Sequence, residues 1–191
     1  MIGKSGSGKD TIYKEILKEA DKHLVPLIPY TTRPRRADEI EGLNYHFVTE
    51  EQLACFQQQG RVMECRQYHT VQGIWSYFTL QFDLEKDSDY ILITTLEGVD
   101  NIVRQYGAEI VHVVYLYIDD KERLLRCIQR ESQQSGPNYA EVCRRFLADQ
   151  QDFSEEKLKR CVHVHSVNTN QPLSQCIQQW NRIYQEESVN L

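Results

Sequence analysis

Residues 3–11 read Gly3-Lys4-Ser5-Gly6-Ser7-Gly8-Lys9-Asp10-Thr11, and no other stretch narrows the possible folds so far. Glycine takes positive φ without steric cost, so Gly3, Gly6 and Gly8 let the backbone curl and aim successive N–H groups inward. An amphipathic run follows directly, with Ile12, Ile16, Leu17 and Ala20 on one face. The N-terminus of such a helix adds partial positive charge at the same place. The pattern predicts a loop that cradles a polyphosphate, with Lys9 as a point charge for the β- and γ-phosphates. A flexible Gly/Ser linker would not end in Gly-Lys at the head of a helix. The hydroxyl that usually follows the lysine is replaced by Asp10, with Thr11 next.

Loops of this kind follow a central parallel strand, yet only Met1 and Ile2 precede Gly3. The anchoring strand is therefore expected upstream of Met1, or lost. Further along, Tyr90–Thr95 and Glu109–Ile118 are apolar enough for strands buried on both faces, and Val162–Asn168 reads as a last strand. Leu24–Tyr30, interrupted by Pro26 and Pro29, suits an edge. Arg61–Leu80 predicts two or three antiparallel strands turning at Gly73. Helices are expected over Asp10–Lys22, Thr49–Gln59 (Thr49 and Gln52 forming a capping box), Val99–Tyr106 and Tyr139–Lys159. Two more are expected over Asp119–Ser132, with a box-like start at Asp119 and Leu124, Leu125 and Ile128 inside, and Pro172–Gln185, with Leu173, Ile177, Trp180 and Tyr184 inward. Strands alternating with helices imply an α/β fold, a parallel sheet flanked by helices with a small, mostly antiparallel β insertion.

A length of 191 residues suits one domain, and the net charge of −6 argues for small anionic ligands and against nucleic acid. No run of about 18 apolar residues is present, so no membrane span is expected. Cys55, Cys65, Cys127, Cys143, Cys161 and Cys176 are scattered with no Cys-x-x-Cys pair, as buried thiols in a reducing compartment are, which makes the cytoplasm the expected setting. Of the six histidines, only His163 and His165 suggest a metal site, because alternate strand residues share a face. Two ligands without a third make a poor centre, and no zinc is expected there.

A second motif spans Thr31-Thr32-Arg33-Pro34-Arg35-Arg36-Ala37-Asp38-Glu39, followed by Gly42 and Tyr45. Arginine presents a planar fork that matches phosphate, and Arg33 and Arg36, three apart on a loop, can close on one phosphate from both sides. Tyr45 adds a neutral donor. Alone, the segment would read as a solvated basic run or an import patch. Beside a polyphosphate cradle, it reads as the clamp for a second phosphate-bearing ligand.

Together the two motifs resemble guanylate kinases, whose monophosphate site carries Thr-Thr-Arg-x-Pro-Arg-x-Gly-Glu-x-x-Gly-x-x-Tyr. Thr31, Thr32, Arg33, Arg36, Glu39, Gly42 and Tyr45 fall on it in register, with Pro34 one place early and Asp38 in place of the glycine. The resemblance covers essentially the whole chain. It implies one domain, with a core of residues 1–30 and 81–191, a monophosphate-binding part at 31–80 and a helical lid at about 126–146. It implies transfer of the ATP γ-phosphoryl group to GMP or dGMP, with Mg²⁺. By the same resemblance Gly3, Ser5, Gly6, Ser7, Gly8, Lys9, Asp10, Thr11 and Asn168 would hold ATP, and Asp10 and Thr11 the metal. Arg33, Arg36, Tyr45, Glu64, Tyr77 and Thr79 would hold GMP, Glu64 accepting two hydrogen bonds from the guanine edge. Lys9, Arg33, Arg126, Arg130 and Arg145 would carry catalysis, the last three as lid arginines; otherwise they are ordinary helix charges paired with Glu122 or Glu141.

Departures from the family bear on the acceptor. Ile93 and Thr95 stand where family members carry aspartates and Pro29 where serine is frequent; Glu97, two residues late, could substitute for the acids in part. Ile93 and Thr95 keep open a kinase of another nucleoside monophosphate or a phosphorylated ribose compound, and Asp10 with the missing first strand keeps open a non-catalytic module that binds a phosphopeptide or partner.

Overall fold

A computed structural model describes residues 1–19, 23–35, 39–70 and 73–188 of the protein. From the amino end the elements are α1 (Lys9–Glu19), β1 (Leu24–Pro26), β2 (Tyr30–Thr31), β3 (His46–Phe47), α2 (Glu50–Gln58), β4 (Val62–Thr70), β5 (Gly73–Leu80) and β6 (Asp89–Ile91). There follow α3 (Leu96–Tyr106), β7 (Val113–Tyr117), α4 (Asp120–Ser132), α5 (Tyr139–Asp152), α6 (Glu155–Arg160), β8 (Val164–Asn168) and α7 (Leu173–Ser188). The chain divides into two units, Met1–Ala20 with Ile93–Leu191, and Asp21–Leu92. Among the described residues no helix is long and apolar enough to cross a membrane.

In the first unit β7 and β8 pair in parallel from Val113↔Val164 to Tyr117↔Asn168. A parallel pair needs a crossover, and α4, α5 and α6 supply it. Met1 and Ile2 are too few for a strand of their own, but they are bonded on both sides. The Ile2 N–H donates to Val114 O and the Leu116 N–H to Ile2 O, each at 2.9 Å, while Met1 O accepts from the Thr94 N–H at 3.0 Å. Ile2 and Leu116 are fully buried, and Ile2 packs with Val99, Val113 and Phe153. The glycine loop therefore springs from a backbone held by two neighbours.

Several local expectations change here. The strand foreseen over Glu109–Ile118 starts at Val113, because Ala108 O accepts from the Val111 N–H in a turn. The one foreseen over Tyr90–Thr95 stops at Ile91, and Thr95 instead caps α3, its hydroxyl accepting from the Gly98 N–H at 3.2 Å. The helix foreseen over Tyr139–Lys159 is two: buried Phe153 ends α5, and the Ser154 hydroxyl accepts from the Lys157 N–H to start α6. In α4 the Asp119 side chain makes no cap bond, and the inward residues are Arg123 and Cys127; Leu125, 52% exposed, and Ile128 face out. In α7 the buried stripe is Cys176, Ile177 and Trp180, with Leu173 exposed at the first turn.

The second unit, residues 21–92, encloses the 31–80 segment. Its four-stranded sheet has the order β3-β2-β5-β4, with β2–β3 parallel and the other pairs antiparallel. The long β4–β5 ladder places Glu64 opposite Thr79 and Arg66 opposite Tyr77, after an irregularity between Val62 and Glu64. Thr49 and Gln52 close both arms of the capping box that starts α2, and Leu53 from that helix packs on Phe78 and Leu80. Separately, among the described residues β1 pairs with β6 alone, in parallel, which suits a strand ending at Pro26.

Candidate functional site

In the first unit the loop of residues 3–8 joins Ile2 to α1. Gly6 and Gly8 both sit at left-handed φ, 82° and 84°, but for different reasons. A Cβ on Gly6 would lie 2.6 Å from Arg123 O and 2.9 Å from Cys127 Sγ, because α4 abuts the loop. Among the described residues a Cβ on Gly8 would meet only Arg126 Nη1, at 3.9 Å. The Lys9 ammonium donates to Gly3 O at 2.7 Å and Lys4 O at 3.0 Å, closing the loop on itself. Burial holds that ammonium below the ordinary lysine range; Asp10 and Asp149 offset this in part and Arg130 adds to it. The Ser7 hydroxyl is buried and has no hydrogen-bond partner among the described residues. Asp10 and Thr11 stand exposed in the first turn of α1.

Acidic and basic groups from α4 and α5 brace this loop. The Ser5 N–H donates to Asp149 Oδ2 at 2.8 Å. Arg123, fully buried, donates to Asp149 at 3.3 Å, to Asp120 at 2.7 Å and to Phe146 O at 3.3 Å, with its guanidinium 3.7 Å from the Phe146 ring centroid. Lys4 Nζ donates to Gln150 Oε1. No sequence spacing announces this bracket, since Ser5 and Asp149 are 144 positions apart and Arg123 and Asp149 are 26 apart.

The expected lid arginines divide. Arg126 stays beside the loop and donates to Thr169 O at 3.2 Å, and Arg130 is near enough to depress Lys9. Arg145 is held on its own helix by Glu141 at 2.9 Å, where Arg144 also binds. Hydrogen bonds from Arg144 first, then Arg145, outweigh burial and pull the Glu141 carboxyl down to about 2. Asn168 Oδ1 accepts from the Asn170 N–H at 2.9 Å. The same residue lines a depression of about 350 Å³ with Tyr117, Ser166, Gln171, Arg182 and Ile183.

The second unit carries another cluster of charged and aromatic side chains. Arg33 is buried and donates to Tyr77 Oη at 3.1 Å, Glu39 Oε1 at 2.7 Å and Pro34 O at 2.7 Å. Its guanidinium lies 5.7 Å from the centroids of both Tyr45 and Phe47. Burial would lower the Arg33 pKa, but Glu39 and Tyr77 more than compensate and leave it raised. Tyr45 and Tyr77 meet edge to face at 5.7 Å. Thr31 and Thr32 serve the sheet: the Thr31 hydroxyl donates to Ser76 O, and Thr32 Oγ1 accepts from the Ser76 N–H, both at 2.9 Å. Arg36 lies outside the described residues.

Nearby in the same sheet, Glu64 and Thr79 are both buried, and the Thr79 hydroxyl donates to Glu64 Oε1 at 3.0 Å. Arg66 takes the rest of the carboxylate, at 2.9 Å to Oε2 and 3.2 Å to Oε1. Arg66 was not anticipated; residues two apart on one strand share a face, which would have found it.

The sequence profile of the family described as Guanylate kinase matches residues 1–157. The guanylate kinase of Thermotoga maritima is 30% identical over 133 residues, 66% of this chain and 61% of that protein. That of Salinibacter ruber is 27% identical over 184 residues, 94% of this chain and 90% of that protein. The chain spans about three fifths of the length of the Thermotoga maritima and Mesorhizobium japonicum relatives. The crystal structure of guanylate kinase from Anaplasma phagocytophilum superposes with a TM-score of 0.65 at 19% identity, covering 97% of this chain and 84% of that one, which establishes the likeness of fold.

Proposed function

The chain belongs to the guanylate kinase family, and from that premise we propose that it transfers the γ-phosphoryl group of ATP to GMP, giving ADP and GDP. What carries the reading is one chain holding both a glycine loop closed by Lys9 and a buried arginine flanked by Tyr45 and Tyr77. The net charge of −6 fits small anionic substrates, and six free cysteines fit a reducing cytoplasm.

Phosphoryl transfer asks the protein for position and charge more than for covalent chemistry. Lys9 already has its ammonium over the loop, tied to two carbonyls that a triphosphate would outcompete for a full positive charge. Loop N–H groups and the head of α1 add oriented partial charges. Arg126 and Arg130, on one helix face beside the loop, spread further positive charge around the moving group; Arg145 joins them on release from Glu141. On the acceptor side Arg33, Arg36, Tyr45 and Tyr77 hold the GMP phosphate. Glu64 and Thr79 face the guanine edge, whose N1–H and amino group are donors where adenine offers an acceptor at N1.

The donor set at the head of α1 fits a hard cation, since Asp10 and Thr11 offer exposed oxygens next to the amide cradle. Mg²⁺ bound there with the triphosphate would neutralise charge across the β- and γ-phosphates. Thr95, which stands where relatives carry an acid, has its hydroxyl engaged as the cap of α3. Base selection accordingly rests on Glu64 and Thr79.

A coupled ADP-release assay across GMP, dGMP, AMP, CMP and UMP tests the reading. Turnover is expected with GMP and dGMP. Turnover with a pyrimidine or adenine nucleotide in their place would overturn the base assignment. Calorimetry with MgATP should show binding, and a folded chain giving no heat would mark a binding module instead of a kinase.

A further inference from the structure

A second constellation of donors lies in the first unit, on β7, β8 and α7. His112 immediately precedes β7, His165 sits on β8 opposite Val114, and Glu187 is near the end of α7, which runs alongside β8. One donor atom from each of the three lies within 4.8 Å of the others. Each carboxylate oxygen of Glu187 faces a different ring: Oε2 is 3.1 Å from His112 Nδ1 and Oε1 is 3.2 Å from His165 Nε2. Tetrahedral zinc with bonds of about 2.0–2.2 Å places neighbouring ligand atoms about 3.3–3.6 Å apart; each imidazole nitrogen is already about that far from one Glu187 oxygen, and a turn of the carboxylate lets one oxygen serve both.

His112 supplies an independent reason to look for an ion. Both its ring nitrogens are shielded from solvent, and neither has a hydrogen-bond partner among the described residues. Buried polar atoms without partners are rare in folded proteins. Nδ1 is close to Glu187 but is not aligned for hydrogen bonding to it. A cation seated between the two would take the in-plane lone pair of the imidazole while the oxygen stays to one side. Two imidazoles and one carboxylate suit zinc, and the side chains are 22–27% exposed, which leaves room for a water as fourth ligand. The pair His163 and His165 is not the site: His163 lies outside β8, at φ 41°, with an exposed side chain.

We propose that His112, His165 and Glu187 form a zinc site that clasps the end of α7 to the β7–β8 pair. Its ligands are distinct from the oxygen donors at the head of α1, and it requires no phosphoryl transfer for its detection. The test uses the full chain, treated with chelator and titrated with Zn²⁺ alone and with Co²⁺ alone. One equivalent of Zn²⁺ should bind and raise the melting temperature, reversibly with chelator. Co²⁺ should give the visible bands of a four-coordinate nitrogen–oxygen site without a thiolate band. Loss of an outer-sphere partner already weakens metal binding by about 10–100-fold. His165→Gln and Glu187→Gln should therefore each weaken Zn²⁺ at least tenfold, while His23→Gln, at an exposed histidine of the other unit, should leave it unchanged. Metal-free melting curves check that the variants fold; if one fails, the other is read alone. No Zn²⁺ binding by the folded chain, a thiolate band, or unchanged affinity in both ligand variants would overturn the site.

Discussion

Asp149 Oδ2 accepts the backbone N–H of Ser5 at 2.8 Å, so a side chain from α5 tethers the glycine loop through its own main chain. The same carboxylate is a counter-ion of fully buried Arg123, which Asp120 serves as well. Asp149→Ala should cost about 2–3 kcal/mol of stability, the range of a hydrogen bond to a charged group together with a partly uncompensated buried cation. Asp149→Asn keeps an acceptor for Ser5 and should cost less. Urea unfolding of both variants checks the order. A larger rise in the ATP KM than in the GMP KM is the kinetic counterpart.

Gly6 and Gly8 have nearly the same φ but different surroundings, which separates backbone strain from steric exclusion. Left-handed backbone alone costs a non-glycine residue about 1–2 kcal/mol. Gly8→Ala should lose about that much and keep its fold, since the added carbon meets nothing nearer than 3.9 Å. Gly6→Ala adds an overlap at 2.6 Å with backbone of α4 and should lose distinctly more. Paired chemical denaturation gives the difference directly.

Glu64→Gln trades one of the two carboxylate acceptors for a donor. Hydrogen bonds to charged groups are worth about 1.5–3 kcal/mol, so kcat/KM for GMP should fall roughly 10- to 100-fold. ATP affinity, measured by titration, should hold. A matching fall in ATP affinity would mean that the change had disturbed the fold and not the base.

Glu141 gives a pH signature. Its carboxyl is held at about 2 in the folded chain against an ordinary 4.5, chiefly by Arg144 and then Arg145. The stabilisation is whole above the ordinary value and drains away as pH falls towards 2. All three side chains are more than a third exposed, so the effect is small. Melting temperatures of wild type and Glu141→Gln should therefore converge between pH 4.5 and 2, from a modest wild-type advantage above.

The glycine loop and the threonine–arginine motif were legible because their chemistry demands fixed residue types at short spacing. Parallel β7 and β8 were legible from apolar runs, and α2 from Thr49 and Gln52. Arg123 was not: periodicity points leucines inward, but an arginine with two acidic partners and an aromatic ring can occupy the buried face of α4. His112 and Glu187 were missed beside His165 because their meeting depends on which end of α7 lies along β8, and no local pattern encodes that. The break at Ser154 was hidden by continuous helix-forming residues on both sides.

Arg66 gives Glu64 a resident occupant. A base that used both oxygens would have to share them with a guanidinium that already grips both. On the proposed reading, recognition at this edge becomes an exchange of donors, in which the ligand's N–H groups take over bonds that Arg66 now makes.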